Sequence, residues 1–286
     1  MSWVEIDQEA CTNCRLCYNR CPRCFSRTGD RITVAADALC CNLCGHCVAL
    51  CPTGAITHHR MDMDNFPEIG PAAQIDTGEF LRMIRQRRSQ RVFLKKPVPK
   101  EVLDTLVEAV RYCPTGSNVQ GVGLVILQNP DRIRTLSNLT VDFFEAGRGA
   151  MEAEIQKVRD QGGEPLAYAL RMLEIGKRAV EARAAGIDPI FHRAPIVMIF
   201  HSVVPTSMPK DNCVIAAQTV VLTAMTLGLG TCYIGLFEMA ANIFPPLIRE
   251  LDLPPSHQVL SVLILGWPKV KYQRVVDRLP VAVRWG

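Results

Sequence analysis

The chain lacks the features of several classes of protein. It begins without a basic segment followed by an apolar run, so no secretory signal is predicted and the reducing cytoplasm is the expected compartment. Beyond residue 51 only three of the 13 cysteines remain, Cys113, Cys213 and Cys232. Such clustering excludes a disulfide framework and indicates a metal centre. With 48% hydrophobic and 21% charged residues, disordered and collagen-like chains are also excluded.

Long uncharged runs are scarce as well, with one exception at 213–237. This run is long enough for a helix that crosses a bilayer. However, Gln218 and four threonines interrupt it, a glycine-rich turn breaks it, and no basic or aromatic belt flanks it. A buried helix in a core or at a dimer interface is therefore predicted instead of a membrane span.

The 286 residues are enough for one large domain and one small one. The predicted boundaries are a small domain over 1–57, a linker over 58–79 that is rich in polar residues and proline, and a large domain over 80–286.

The large domain mixes helical and strand patterns. Apolar residues at helical spacing predict a helix over 101–113, ended by Pro114. Short apolar runs at 122–127, 195–200 and 259–265 predict strands. The charged segment 142–186 is helical in composition and is interrupted near Gly162. The predicted fold class is therefore α+β.

Cysteines recur in a strict pattern in the first domain. CTNCRLCYNRCP at 11–22 returns as CNLCGHCVALCP at 41–52, thirty positions later. Each copy reads C-x2-C-x2-C-x3-C-P, the run that binds bacterial 4Fe–4S clusters. Structural zinc also uses paired CxxC units, but zinc has no use for a third cysteine at the same spacing in both copies. Cys24 and Cys40 fall outside the pattern and are predicted to be small buried thiols.

The first 56 residues thus resemble a bacterial two-cluster ferredoxin, in which the fourth cysteine of each run serves the other cluster. The resemblance implies a small ferredoxin-like domain with two 4Fe–4S clusters. One cluster would be bound by Cys11, Cys14, Cys17 and Cys51, and the other by Cys41, Cys44, Cys47 and Cys21. With about eight thiolates and two oxidised cores, the net charge of +4 falls to roughly zero, so no nucleic-acid partner is expected.

Three stretches of the large domain carry polar or glycine-rich chemistry. The basic stretch, RQRRSQR at 85–91, offers donors to a phosphate, although such clusters are usually solvated surface. The polar turn, CPTGSNVQ at 113–120, offers donors and acceptors to a planar heterocycle, or is an ordinary turn. The glycine-rich turn, LGLGTCYIG at 227–235, lets the backbone approach a ligand, or is a helix C-cap. It does not match the dinucleotide fingerprint GxGxxG.

In this order, and followed by LILGWPKVKYQRVVDR, these stretches resemble the FMN-dependent nitroreductase family over about residues 80 to 280. The resemblance implies a mixed α/β sandwich and a homodimer with two FMN sites at its interface. It implies phosphate and ribityl contacts from Arg87, Arg88, Ser89 and Arg91, ring and ribityl contacts from Pro114, Thr115, Ser117, Asn118 and Gln120, and backbone contacts near the reactive ring nitrogen from Ile234 and Gly235. Arg278, or failing it Arg274, would complete the phosphate site. Cys113 departs from the family pattern and is either a redox-active thiol or a packed side chain.

The combined resemblance implies an oxidoreductase that passes electrons between the clusters and FMN and reduces a small organic acceptor, such as a nitroaromatic, by hydride-equivalent transfer. No protein acid or base is required, so no catalytic residue is assigned, and His192 is expected to be structural. The electron donor would be a one-electron carrier such as ferredoxin, or NAD(P)H. Two alternatives stay open: another flavin reaction on the same scaffold (dehydrogenation, dehalogenation or flavin consumption), and an electron-transfer module that serves a partner protein.

Overall fold

The computed structural model describes residues 3–35 and 41–286, and Cys40 lies outside them. The chain divides into two compact units. The first comprises Met1–Ile75 and Ser117–Val119, and the second comprises Asp76–Gly116 and Gln120–Gly286. The α3 helix (Thr77–Gln86) begins inside the predicted linker, 58–79. The strand β4 (Ile56–His58) ends at the first residue of that linker.

The first unit repeats one small motif. Its elements are β1 (Val4–Ile6), α1 (Leu16–Arg20), β2 (Phe25–Thr28), β3 (Arg31–Val34), α2 (His46–Leu50) and β4. β1 pairs antiparallel with β4, and β2 pairs antiparallel with β3. The two helices stand thirty positions apart, as the cysteine runs do, so both copies of the sequence repeat form the same local structure.

The core of the first unit is small. Among the residues described, its buried cluster is formed by Val4, Cys24, Phe25, Ile32 and Ile56. Cys24 is 6% exposed, which confirms that it is a small buried thiol. Five cysteines of the two runs pack against this cluster: Cys17, Cys21, Cys41, Cys47 and Cys51.

The second unit is built on a four-stranded antiparallel sheet with the order β5-β6-β8-β7. Its strands are β5 (Gly123–Leu127), β6 (Ile196–Val203), β7 (Gly230–Tyr233) and β8 (His257–Gly266). The three strands predicted from apolar runs are confirmed as β5, β6 and β8. β7 was not predicted, because it lies within the uncharged run 213–237.

Helices cover both faces of this sheet. They are α4 (Lys100–Arg111), α5 (Pro130–Asp160), α6 (Ala167–Ala184), α7 (Pro209–Thr226), α8 (Gly235–Ala241) and α9 (Pro245–Leu251). The α3 helix buries none of its residues. Alternate residues of a strand point to opposite faces. Accordingly Val197 and Ile199 of β6 join the core that includes residues of α5 and α8, while Met198 and Phe200 join the core that includes residues of α4 and α7. The predicted helix over 101–113 and the α+β class are confirmed.

The uncharged run 213–237 is a helix, a strand and the start of another helix. The α7 helix buries Cys213, Ala217 and Val220, at helical spacing. It ends at Thr226, and two residues later Gly228 has a φ of +75° and donates its N–H to the carbonyl oxygen of Met225. The glycine-rich turn therefore begins as a helix C-cap, one of the two interpretations its sequence allowed. Within the described residues, no helix combines the length and the hydropathy that crossing a bilayer requires.

Candidate functional site

One cavity of the first unit is lined by Cys11, Cys14, Cys17 and Cys51. These are the four cysteines that the sequence assigns to a single cluster, and they come from both copies of the repeat. The Sγ of Cys51 accepts a hydrogen bond from the backbone N–H of Ala55 at 3.2 Å. We call this space the thiol cavity.

The loops that present the cysteines share an uncommon backbone. Asn13 and Arg15 have φ values of 51° and 67°, and their counterparts thirty residues later, Leu43 and Gly45, have 56° and 69°. Left-handed backbone is unusual for residues other than glycine. Its recurrence at matching positions indicates that both loops wrap in the same way.

The pKa values of two of these thiols are raised. Burial, with smaller contributions from the neighbouring thiols of Cys44 and Cys41, raises the pKa of Cys47 to about 11. Burial also raises the pKa of Cys17, with smaller contributions from Cys11 and Cys14. Each set of three is therefore close enough to interact electrostatically.

Two further groups lie beside the second set of cysteines. The Sγ of Cys41 is 3.4 Å from Nε2 of His58, which is 1% exposed. Cys21, the predicted fourth ligand, is half-buried at the end of α1. In the described parts of the chain, no group of three or more His, Cys, Asp or Glu side chains is arranged to hold a single metal ion.

The basic stretch of the second unit is fixed against β7. Ser89 forms a parallel bridge with Thr231, and the N–H of Gln90 donates to the carbonyl oxygen of Thr231 at 2.9 Å. Gln90 also donates through Nε2 to the carbonyl oxygen of Val270 at 2.8 Å. Gly230 permits this packing, because a Cβ there would lie 2.5 Å from Cγ of Gln90.

The arginines of the basic stretch differ in their surroundings. The Nε of Arg88 is buried and has no hydrogen-bond partner among the described residues, and its guanidinium lies 5.8 Å from the centre of the Tyr272 ring. Arg87 lies near Tyr233: burial raises the pKa of Tyr233 to about 12, and the positive charge of Arg87 opposes that shift. Arg91 is exposed.

The polar turn has a strained backbone that hydrogen bonds hold in place. Ser117, Asn118 and Gln120 all have φ values near +50°. The N–H of Gln120 donates to Oγ1 of Thr115 at 3.0 Å. Pro114 comes directly before Thr115 in the chain. Cys113 precedes Pro114, and its Sγ lies 3.5 Å from the carbonyl oxygen of Ala109.

Asn212 of α7 anchors the start of the polar turn. Its Oδ1 accepts a hydrogen bond from the N–H of Gly116 at 2.8 Å, and its Nδ2 donates to the carbonyl oxygen of Ser207 at 2.7 Å. The side chain is 2% exposed. Sequence reasoning missed Asn212, because 96 residues separate it from Gly116 and no local pattern marks it.

Asn118 makes its side-chain contacts within the first unit. Its Nδ2 donates to the carbonyl oxygens of Asn42 and Leu43, both at 3.0 Å. These two residues lie between Cys41 and Cys44. A residue proposed from sequence for flavin binding is thus hydrogen-bonded to a cysteine loop.

The glycine-rich turn ends at an open patch of backbone. The N–H of Ile234 donates to the carbonyl oxygen of Val262 at 3.0 Å, and the Ile234 side chain is buried. Next to it, Gly235 has no atom within 4 Å of the position that a Cβ would take. A planar group therefore has room to approach the backbone there.

The two late arginines lie outside regular structure. Arg274 and Arg278 are exposed in the segment that follows β8, and no hydrogen bond or ion pair joins either of them to the basic stretch among the described residues. Two other residues of this segment reach the basic stretch: Val270, which accepts from Gln90, and Tyr272, which lies beside Arg88.

Comparison with known proteins identifies the second unit. The model of the "Nitroreductase family" matches residues 84–267. A chloronitrobenzene nitroreductase from Comamonas testosteroni is 30% identical over 202 residues, which cover 65% of this chain and 85% of that protein. A 4-nitrobenzoate reductase from Pseudomonas putida is 23% identical over 67% of this chain and 86% of that protein.

Among solved structures, a nitroreductase with bound FMN from Bacteroides fragilis NCTC 9343 has the same fold, with a TM-score of 0.53 and 20% identity over 73% of this chain and 100% of that one. The family match begins at residue 84, so it does not include the cysteine repeat.

Proposed function

The chain belongs to the nitroreductase family, and we propose that it is an FMN- and iron–sulfur-dependent oxidoreductase that reduces a small organic acceptor. The observation that carries the flavin part is the buried Nε of Arg88, which has no partner in the described chain. A buried donor without an acceptor is costly, and a phosphate group would satisfy it. The relative with bound FMN and the two relatives named for nitroaromatic substrates support the same assignment.

The proposed FMN contacts follow the motifs. Arg87, Arg88, Ser89 and Arg91 would bind the phosphate and ribityl chain, with Arg278 or Arg274 completing the site. Pro114, Thr115, Ser117, Asn118 and Gln120 would contact the ring and ribityl hydroxyls, and the backbone of Ile234 and Gly235 would lie against the ring.

When bound, FMN supplies one- and two-electron chemistry and hydride-equivalent transfer to the acceptor. The side chains of this site position and stabilise; none is needed as an acid or base. Tyr233, with a pKa of about 12, stays neutral at physiological pH and keeps its proton for hydrogen bonding. The open space beside Gly235 leaves the backbone accessible.

We also propose that the cysteine runs bind two 4Fe–4S clusters, one on Cys11, Cys14, Cys17 and Cys51 and the other on Cys41, Cys44, Cys47 and Cys21. The support is the thiol cavity, in which the four cysteines of the first set meet. A single zinc ion needs its ligands about 2.3 Å from one point, whereas in a cubane each sulfur binds a different iron. Four thiols spread around one cavity therefore suit a cluster better than an ion.

A homodimer is part of the proposal. Val214 and Ile215 on the outer side of α7 are 38% and 39% exposed, in a helix whose opposite side is fully buried. Exposed aliphatic side chains of this kind favour contact with a second copy. Size-exclusion chromatography with light scattering would contradict a dimer by showing a monomer that retains FMN.

The flavin assignment is tested by a matched pair of variants purified without oxygen. Arg88→Gln removes the buried donor, and Arg85→Gln removes an exposed arginine three residues earlier. FMN affinity should fall about 10- to 100-fold in the first variant, since a charge-assisted hydrogen bond contributes about 1.5–3 kcal/mol. It should stay unchanged in the second. Equal FMN binding by the two variants would contradict the assignment.

The cluster assignment is tested by iron content and by reduction. The protein should contain about eight irons per chain, and Cys17→Ser should hold about four. Cys113→Ser is the control and should keep all of them. Titration with NADH, NADPH and a reduced low-potential ferredoxin, following flavin and cluster absorbance separately, then identifies the donor. Full zinc occupancy without iron would overturn the cluster proposal and leave the flavin proposal standing.

A further inference from the structure

His58 is a buried polar side chain of the first unit that belongs to neither cysteine run. It is the last residue of β4, it pairs with Val4 of β1, and it is 1% exposed. Its Nε2 lies 3.4 Å from Sγ of Cys41. A buried imidazole needs partners for both ring nitrogens, and the two partners together define what the ring does.

The partner of the other ring nitrogen fixes the position of the proton. Nδ1 of His58 accepts a hydrogen bond from the backbone N–H of Arg60 at 3.2 Å. A ring nitrogen that accepts carries no proton, so the proton of the neutral ring is on Nε2. His58 therefore presents an N–H group, and not a lone pair, to Sγ of Cys41.

Both partners of this contact are held in place. On one side, the pairing of β4 with β1 fixes the backbone of His58. On the other, Nδ2 of Asn118 donates to the carbonyl oxygens of Asn42 and Leu43, both at 3.0 Å. These two residues directly follow Cys41 in the chain. The sulfur and the ring nitrogen are thus positioned independently, and their separation is a property of the fold.

The first set of cysteines has no equivalent side-chain donor. Thirty positions before His58, the matching residue of the repeat is Thr28 at the end of β2, and it is exposed. Sγ of Cys51 accepts a hydrogen bond from a backbone group, the N–H of Ala55. Among the described residues, no histidine bonds a cysteine of the first set. His58 therefore contacts one of the two sets alone.

This difference matters for electron transfer, because an N–H group affects the two oxidation states of a cluster unequally. Reduction adds negative charge to an iron–sulfur cluster and to the sulfurs that bind it. A donor directed at one of these sulfurs stabilises the reduced form, and hydrogen bonds to sulfur are among the factors that set cluster potentials. Because His58 is buried, water does not replace its bond in the oxidised form.

We call the cluster proposed for Cys41, Cys44, Cys47 and Cys21 the second cluster, and the other the first cluster. We propose that His58, through the bond from Nε2–H to Sγ of Cys41, raises the reduction potential of the second cluster and leaves that of the first unchanged. His58 is a positioning residue, since it acts on the iron through the cysteine. This inference rests on the proposed function, because it requires a cluster on each set.

The test compares three variants that are purified without oxygen. His58→Leu removes the donor, whereas His58→Gln keeps an N–H donor of similar reach. Both variants lose the acceptor for the N–H of Arg60, so they differ in the donor to Cys41. His59→Leu is the control, because His59 is the next residue, is exposed and contacts Glu5 instead of a cysteine.

The midpoint potentials are measured by redox titration followed by electron paramagnetic resonance. Each variant is also made in Cys17→Ser, which should keep only the second cluster, and in Cys47→Ser, which should keep only the first. In Cys17→Ser, His58→Leu should make reduction about tenfold less favourable, a fall of about 59 mV for one electron. His58→Gln should recover most of this loss, and His59→Leu should cause none. In Cys47→Ser, none of the three variants should change the potential.

Isotope-labelled histidine gives a second readout, which needs no variant with a lower potential. In reduced wild-type protein, pulsed paramagnetic resonance should show a weak coupling of the second cluster to a histidine nitrogen, and this coupling should be absent in His58→Gln. A strong coupling, from a nitrogen bonded directly to iron, would overturn the inference because His58 would then be a ligand. The absence of any histidine coupling that depends on His58 would overturn it as well.

The remaining outcomes separate this inference from the proposed function. Equal potentials of the second cluster in wild type and His58→Leu, with about eight irons in each protein, overturn the inference and leave the clusters in place. Loss of about four irons in both His58 variants also overturns it, because the histidine would then be needed to bind the cluster instead of to set its potential. Wild-type protein without iron overturns the cluster proposal and this inference together.

Discussion

Replacing Asn212 with alanine should release the polar turn from α7. The wild-type side chain bonds two partly buried groups, the N–H of Gly116 and the carbonyl oxygen of Ser207. Alanine can bond neither of them, and the Asn212 side chain that makes both bonds is itself 2% exposed. Leaving a buried polar group unpaired costs about 1–3 kcal/mol. The expected loss in the free energy of unfolding is therefore about 2–4 kcal/mol.

The assay is urea unfolding followed by circular dichroism, with FMN affinity measured on the same samples. For a slope of about 3 kcal/mol per molar urea, the midpoint of the second unit should fall by about 1 M. FMN should bind more weakly as well, because Gly116 begins the turn proposed to contact it. Asn212→Asp keeps the acceptor for Gly116 and loses the donor to Ser207, so its FMN affinity should be closer to that of wild type.

Thr226→Ala, at the exposed C-terminal end of the same helix, is the control and should leave both quantities nearly unchanged. The reasoning would be refuted by an Asn212→Ala midpoint within about 0.2 M of the control, given the magnitude expected for two unpaired groups. It would also be refuted by an equal loss of FMN affinity in Asn212→Ala and Asn212→Asp, because the bond to Gly116 would then have no part in shaping the turn.

Three further predictions concern backbone space, pH and iron. Gly230→Ala should displace Gln90, because its Cβ would lie 2.5 Å from Cγ of Gln90, and it should lower both thermal stability and FMN affinity. In Gly235→Ala the new Cβ meets no atom within 4 Å, so this variant should lower FMN affinity alone. A loss of thermal stability in Gly235→Ala would contradict the open space beside Gly235. Burial, and then the charge of His257, lower the pKa of His201 in the folded state, so the unfolded chain binds the proton more readily. Unfolding free energy should therefore decrease as pH falls below about 6.5, and His201→Gln should flatten this dependence; an unchanged pH slope in urea titrations would contradict it. Removing iron with a chelator should raise hydrogen exchange in the first unit, because the buried cluster of its described residues is small, while β6 stays protected. Equal exchange in both units would argue against a core held by clusters.

Periodicity and spacing found much of this structure in the sequence. The helix α4 and the strands β5, β6 and β8 were predictable because each has one dominant apolar pattern. β7 was not, because its four residues GTCY lie between the C-cap of α7 and the start of α8 in a run without charge. A short strand buried on both sides has no alternation to reveal it.

The candidate sites were predictable to different degrees. The cysteine runs have a fixed local spacing, and the thiol cavity brings together the four that the pattern groups. Contacts between residues far apart in the chain have no comparable local spacing in the sequence. Gln90 reaches Val270 across 180 positions, and Tyr272, not a late arginine, contacts Arg88. These contacts depend on how β7 and the final segment approach the basic stretch, which the sequence does not encode locally.

Because side chains alternate along β6, the second unit has two cores, and a substitution in one core should have little effect on the other. Val197 and Ile199 pack with residues of the long α5–α6 hairpin side, while Met198 and Phe200 pack with residues on the side of α7 and the polar turn. Side chains on opposite faces share only the strand backbone, so substitutions in the two cores should combine nearly additively. Substitutions on the α5–α6 side should therefore leave the packing beneath the polar turn, where part of the flavin site is proposed, nearly undisturbed.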